Sequence, residues 1–327
     1  MKKSRWFPVI CLMLCVLSIV TAHAEKRVFL ASETEPFGED AIVLTLRVAG
    51  KVGGDCMLLS CGDETMLIDT GIDEFCPLIL KMLSEAGSGN HIDTFFNTHP
   101  HNDHVGAFFP LLESGVTVSR ICTVFPRDYE DGHSVRQLEL MQAAADYDIP
   151  VVDMKTGDTF AFGPAEITIL RVPDELMFLS MTTNDRSAML MVRYGDCSMF
   201  LAGDCEVAGQ SILADLYDLK ADIVKAPHHG YDKMIYPFLK NVDPELVFVT
   251  NGSADTRVLQ AQLNMECLFR YTFSSWGEIT IQTDGTRWIV SQDFYPEIRE
   301  HAESHWQRFS DQQETPRADA ETTPAGS

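Results

Sequence analysis

The sequence predicts a single α/β domain in which strands and helices alternate along most of the chain. Three observations carry this reading. Short apolar or alternating runs bounded by Gly, Asp and Pro recur between residues 41 and 290 and read as strands. Longer runs with helical character lie among them, at residues 77–86, 105–112, 134–147 and 207–219. No Pro/Gly/Ser linker and no internal repeat divides this stretch, and about 300 residues suffice for one large core.

The ends read differently from the middle. Residues 1–24 are expected to be a secretory signal: Lys2, Lys3 and Arg5 precede a twelve-residue apolar run, and Ala22-His23-Ala24 fits a small-x-small cleavage site. An uncleaved anchor is the competing reading, although the run is short for a bilayer span. The folded domain is placed at residues 25–300, and the polar segment 301–327 is expected to be a disordered tail, Pro/Ala/Thr-rich beyond residue 311. The full chain carries 25 basic and 48 acidic residues, a net charge of −23, and without the leader the imbalance grows to about −26. Such a chain is a poor match for a polyanion held in a basic groove, though a small phosphorylated substrate remains compatible where metal ions supply local positive charge. Of nine cysteines, seven lie beyond the leader; none forms C-x-x-C, and several fall within apolar runs where a thiol serves as a small hydrophobe.

In chain order, residues 41–48, 55–60 and 65–69 read as antiparallel strands turned at Gly53-Gly54 and Gly62-Asp63. The third closes on Ile68-Asp69-Thr70-Gly71, where Asp69 suits a turn that caps the next helix. That helix, 77–86, has Pro77 in its first turn and Gly87 beyond its end. An apolar strand at 92–96 then enters Thr98-His99-Pro100-His101-Asn102-Asp103-His104, and a helical run at 105–112 leaves it. Imidazoles and a carboxylate on so short a loop suit zinc or a similar divalent ion. His99 and His101, two apart, point the same way from extended backbone. Asp103 and His104, past the turn, are placed to face a second ion. Ten histidines will sometimes cluster by chance, but four ligand side chains within six residues, between a strand and a helix, favour two metals side by side.

Further strands are expected at 120–125, at Val151-Val152, and in a hairpin of 159–162 with 166–172 about Gly163-Pro164. Strands 188–194 and 198–202 turn at Gly195-Asp196, and the second ends on Gly203-Asp204, where an Asp on its own would be an ordinary turn residue. A strand at 222–226 delivers Pro227-His228-His229-Gly230; neighbours at a strand end point oppositely, so only one of the two histidines is expected to bind metal. Strands at 245–250, 279–283 and 288–290 complete the pattern, the last two joined at Asp284-Gly285.

Four segments together resemble the metallo-β-lactamase-fold hydrolases: H-x-H-x-D-H at 99–104, N-D-x-S-x-x-L-x-V-x-Y-G-D-x-x-x-x-L-A-G-D at 184–204, P-H-H-G at 227–230, and G-x-I-x-x-x-x-D-G at 277–285. The likeness is to the branch containing the extracytoplasmic domain of the competence protein ComEC and secreted choline-phosphate esterases. It implies an αββα sandwich, two mixed sheets flanked by helices. It implies metal ligands His99, His101, Asp103, His104, Asp204 and His229, with Asp204 bridging two ions and Asp69 supporting the loop without binding metal. His229 is preferred as the ligand and His228 as the substrate contact, with the reverse left open. The third histidine that many such enzymes place on the first ion is missing from its usual place; only His133 lies between His104 and Asp204, in a position where capping is the default.

The resemblance further implies a secreted hydrolase with two divalent ions, zinc expected and manganese or iron as alternatives. A metal-bridging hydroxide would attack a phosphodiester of a small or wall-linked substrate. Asp103, Asp204, His228 and Tyr231 are the expected catalytic residues, with His228 or Tyr231 protonating the leaving group. An extracellular nuclease is the alternative, disfavoured by the acidic charge, and a metal-binding protein without turnover is a third reading. Trp276, Phe273 or Tyr231 around a closed pocket would favour a choline head group.

Overall fold

The structure, a computed structural model, describes residues 26–130, 134–178, 180–251, 259, 262 and 270–313. The expected leader, His133, Cys267 and residues 314–327 lie outside the described residues.

Side-chain alternation sorts the strands into two sheets with three apolar layers. In Cys56–Cys61 and Glu64–Thr70, Met57, Leu59, Met66 and Ile68 face one way while Leu58 and Leu67 face the other. The first set meets Ile167, Ile169, Leu190, Val192, Met199, Leu201 and Phe248 of the second sheet, forming the core between the sheets. Leu58, Leu67 and Phe95 pack outward against Ile79, Met82, Leu83, Phe108 and Leu140 of the flanking helices. On the far side Met191, Phe200, Val224 and Val247 pack against Leu213, Phe238 and Ala302. The order helix, sheet, sheet, helix is the αββα sandwich. Burial of whole strands such as Leu246–Val249 on both faces is what that arrangement demands.

Both sheets are mixed and built alike. The nine-stranded sheet runs as an antiparallel meander through Gly277–Thr283, Leu44–Val48, Cys56–Cys61 and Glu64–Thr70, then continues with parallel strands Thr94–Asn97, Ile121–Thr123 and Val151–Asp153. The seven-stranded sheet runs antiparallel through Thr159–Phe162, Ala165–Leu170, Met189–Tyr194 and Cys197–Leu201, then parallel through Ile223–Lys225, Leu246–Val249 and Arg270–Phe273. The loops that bear the candidate site leave the C-terminal ends of strands where each sheet changes from antiparallel to parallel. Ligand sites of α/β sheets favour such topological switch points.

Several elements depart from the sequence reading. The helical run after the histidine loop is two helices, Asn102–Val105 and Phe108–Glu113. Gly106 stands at the break, where a Cβ would strike the Asn102 carbonyl and the Asp73 side chain. Strands Val28–Leu30 and Arg270–Phe273 and helix Tyr236–Val242 were not expected. The polar segment placed in a tail from residue 301 is instead helical through Gln313, within a helix Arg299–Gln313. Its composition reads as solvated because few of its described side chains turn inward. Ala302 and His305 are buried, and His305 Nε2 donates to the Tyr271 carbonyl oxygen at 3.2 Å. Phe273 and Trp276 are buried beside this helix, ringed by Tyr271, His301 and His305, so neither is available to grip a head group. The six described cysteines are free and buried, acting as small apolar side chains. No helix among the described residues is long and apolar enough to cross a membrane.

Candidate metal centre

Strand Thr94–Asn97 ends beneath the histidine loop, and Asp69, at the end of the neighbouring strand, pins it there. Asp69 is fully buried with φ 53°, and its Oδ1 accepts from Thr98 N at 2.8 Å and Asn97 Nδ2 at 3.1 Å. Its Oδ2 accepts from Thr98 Oγ1 at 2.5 Å and lies 2.8 Å from His104 Nδ1. Asp69 therefore fixes the His104 ring with Nε2 pointing inward, the carboxylate–histidine arrangement common behind metal ligands.

His229 is held in the same fashion. Its Nδ1 lies 3.0 Å from Asp55 Oδ1 and 3.1 Å from Thr250 Oγ1, leaving Nε2 to face the centre. Around that point His229 Nε2 is 3.1 Å from His104 Nε2, 3.3 Å from Asp103 Oδ2 and 3.1 Å from Asp204 Oδ2, while His104 Nε2 is 3.0 Å from Asp204 Oδ2. Two imidazole nitrogens and two carboxylate oxygens thus converge on a space the size of one ion. Asp55, His104, Asp204 and His229 also form a compact buried acid–histidine cluster. Asp55 sits behind His229, on its Nδ1 side, whereas Asp103 faces Nε2.

The other half of the centre is looser. His99 Nε2 lies 3.1 Å from His101 Nδ1 and 3.8 Å from Asp204 Oδ2. His99 Nδ1 is backed by the Thr98 hydroxyl at 3.2 Å. His99 is fully buried and His101 partly exposed, at the edge of an open cavity of about 520 Å³ lined also by Asn102, Asp103, Ser134 and Arg136. These three donors face a second position across Asp204. Asn184 Nδ2 is turned to His228, and the Ser187 hydroxyl accepts from Asp204 N at 3.1 Å.

The Pro227–Gly230 segment is a tight turn, not the extended strand end that the alternation argument assumed. His228 and His229 both have φ 49° and Gly230 has φ 75°. Successive left-handed non-glycine residues cost roughly 1–3 kcal/mol each and persist at functional sites where surrounding contacts impose them. Here His228 N donates to the Gly203 carbonyl oxygen at 3.1 Å, and the His229 ring is held as described. The turn sends the two rings apart, with His229 inward and His228 to the rim. His228 Nε2 is 3.2 Å from Asn184 Nδ2, and its Nδ1 is 3.3 Å from Asp232 Oδ2. Tyr231 is 42% exposed, with its ring edge-on to those of His228 and His229 at 5.3 Å and 6.0 Å between centroids.

Three groups escaped the sequence reading: Asp55, Lys225 and Thr250. A Gly-Gly-Asp turn brings Asp55 in. A Cβ on Gly54 would fall on the Asp103 carbonyl oxygen, and Asp55 N donates to that same oxygen at 3.1 Å. Lys225, fully buried, was signalled by a charge inside an otherwise apolar strand, since a buried lysine needs partners.

The electrostatics fit a cation site. Burial alone would raise the carboxyls of Asp204 and Asp103, but the His104 and His229 rings outweigh it and hold both well below the usual carboxylate range. Asp55 is held low in the same way, against burial, by Lys225 and His229. For His104 burial works downward, and Asp204 and Asp69 overcome it and push the imidazole up to about 10. Burial and the neighbouring His104 drive His99 well down instead. A cluster of ionised carboxylates around imidazoles whose outer nitrogens are already engaged is the donor chemistry of a divalent metal centre.

Comparison with known proteins agrees with the architecture. Residues 49–249 match the family model of the metallo-beta-lactamase superfamily. No curated protein matches at a significant level. Among solved structures, the metallo-beta-lactamase fold protein YhfI from Bacillus subtilis aligns at TM-score 0.48 and 14% identity, over 71% of this chain and 96% of that one. Yeast PDE1 aligns at 0.46 and 13%, over 71% and 97%. CmlA, a diiron beta-hydroxylase from Streptomyces venezuelae, aligns at 0.46 and 15%, over 72% and 53%. Likenesses this distant carry no statement about substrate or metal.

Proposed function

The chain belongs to the metallo-beta-lactamase superfamily, and within it we propose that it is an exported dinuclear-metal phosphodiesterase of the ComEC-like, choline-phosphate-esterase-like branch. The observation that carries this is the convergence of three imidazoles, His99, His104 and His229, on Asp204 Oδ2, with His101 beside His99 and Asp103 beside His229. One ion would be held by Asp103, His104, His229 and Asp204, the other by His99, His101 and Asp204. Two divalent ions there, zinc by donor type, would supply Lewis acidity and an activated water for in-line displacement at phosphorus.

The protein's own part is orientation and proton delivery. Asp69 and Asp55 fix the tautomers and tilt of His104 and His229. His228 is assigned as proton donor to the leaving oxygen. It sits at the rim, where Asp232 accepts from Nδ1 at 3.3 Å and Nε2 lies 3.2 Å from Asn184 Nδ2. The acidic chain and the cavity of about 520 Å³ beside His101 and Asp103 favour a small or wall-linked phosphodiester over a nucleic acid. With Phe273 and Trp276 in the core, a choline head group would find Tyr231 alone of the three aromatics expected for it.

The test is metal content and activity on one sample, using residues 25–327 and assaying bis(p-nitrophenyl) phosphate, p-nitrophenyl phosphorylcholine, DNA and nitrocefin. The expected result is about two ions per chain, with cleavage of the first substrate lost in His101→Ala. Less than one tightly held ion, with no activity after zinc or manganese is added, would leave a binding protein on a hydrolase fold.

A further inference from the structure

Lys225 ends its strand inside the metal centre, fully buried. Its Nζ donates to the Gly203 carbonyl oxygen at 2.8 Å, lies 3.3 Å from Asp204 Oδ1, and pairs with Asp55 Oδ2. A buried ammonium persists only among anions and acceptors, and here each of them belongs to the edge of the centre. The two oxygens of Asp204 are thereby divided. Oδ1 faces Lys225, while Oδ2 faces His104 Nε2 at 3.0 Å, His229 Nε2 at 3.1 Å and His99 Nε2 at 3.8 Å. Asp55 is divided likewise, Oδ2 to Lys225 and Oδ1 to His229 Nδ1.

We propose that Lys225 is a positioning residue of the metal centre: by holding Oδ1 it leaves Asp204 a single oxygen, Oδ2, with which to join the two ions. A carboxylate with both oxygens free could chelate one ion or span the pair with one oxygen on each, and the ions would then sit further apart. Through Asp55 the same ammonium ties this constraint to the tilt of the His229 ring. The proposal rests on the dinuclear reading above.

Cobalt(II) is a suitable probe, because its visible absorption weakens as the number of ligands rises. The wild-type chain and K225M are stripped, reloaded with cobalt, and compared by absorption per bound ion, with circular dichroism to verify folding. The expected result is cobalt uptake by both, with absorption per ion at least about twofold lower in K225M, where the freed Oδ1 becomes an added ligand. A folded, loaded K225M with the wild-type spectrum overturns the proposal. Should K225M fail to fold, a crystal structure of the zinc-loaded wild type decides the same point. Oδ2 alone at about 2.0–2.2 Å from the ions, with Oδ1 on Lys225, supports the proposal, and Oδ1 bound to an ion overturns it. A wild-type chain that takes up neither cobalt nor zinc overturns the metal reading itself, a different result from a loaded centre with unaltered ligation.

Discussion

On one side of Asp204, His104 and His229 stand with their backs to buried carboxylates, Asp69 at 2.8 Å and Asp55 at 3.0 Å, and Asp103 completes a set of four donors. On the other side, His99 leans on a threonine hydroxyl at 3.2 Å, His101 opens to a cavity, and Asp204 is 3.8 Å away. One half has four donors, with both imidazoles backed by buried carboxylates; the other has three, with His99 backed by a hydroxyl, and the cavity opens on both through Asp103 and His101. Ligand count and the groups behind the ligands, more than the histidine motif itself, govern how firmly a metal ion would be held on each side. An open position is also what a reacting centre needs. On the dinuclear reading proposed above, the Asp103 side would hold the tighter ion and the His99 side the weaker, exchangeable one.

Substitution of the shared residue breaks the comparison altogether. Asp204→Ala should remove both ions and reduce phosphodiester cleavage to background, read by metal analysis and by turnover of bis(p-nitrophenyl) phosphate; retention of one full ion would mean that Asp204 serves only one half. The next largest effect sharpens it. Asp69→Ala, which removes the carboxylate behind His104, should weaken the tighter ion by about 10–100-fold, whereas His101→Ala, on the other side, should leave it within about threefold. Competition with a chromogenic chelator measures both, and equal losses would erase the distinction.

Acidity offers a third handle. In the metal-free chain His104 is raised to about 10. A raised folded-state value gives a stabilising contribution that is full below the unfolded value of about 6.5 and is lost as pH climbs toward 10. Asp103 and Asp204, held low, contribute above about 3.8 and lose that contribution as pH falls. Metal must displace the His104 proton, so binding tightens with pH. The melting temperature of the chelated chain should therefore fall between pH 6.5 and 9, while its gap to the zinc-loaded chain widens. A gap that stays constant would contradict the assignment. The smallest change is expected at Tyr231. Tyr231→Phe should alter turnover by less than about threefold, against a loss of roughly 10²–10⁴-fold for His228→Gln. The reverse ranking would make Tyr231 the proton donor.

What the sequence disclosed follows the same division. Residues 99–104 crowd four donors into one loop, and Asp204 and His229 close apolar strands, so their chemistry stands out locally. The alternating and apolar runs likewise made most of both sheets legible, because burial of a sheet face imposes a period of two. The groups behind the ligands are different. Asp55, Lys225 and Thr250 come from three separate strand ends, and only the packing of two sheets brings them together. Lys225 alone left a trace, as a single charge between Val224 and Ala226. The left-handed turn at His228 and His229 was hidden because the sequence there reads as a plain strand end. Helix Arg299–Gln313 escaped because Ala302 and His305 give it too thin an apolar stripe to register.

The most direct measurement is a zinc titration of the stripped wild-type chain, followed by competition or calorimetry, with Asp103→Ala and His101→Ala alongside. The account predicts two steps differing by at least about tenfold in affinity, the tight one lost in Asp103→Ala and kept in His101→Ala. Two equal steps, or a tight step that survives Asp103→Ala and vanishes in His101→Ala, would contradict it.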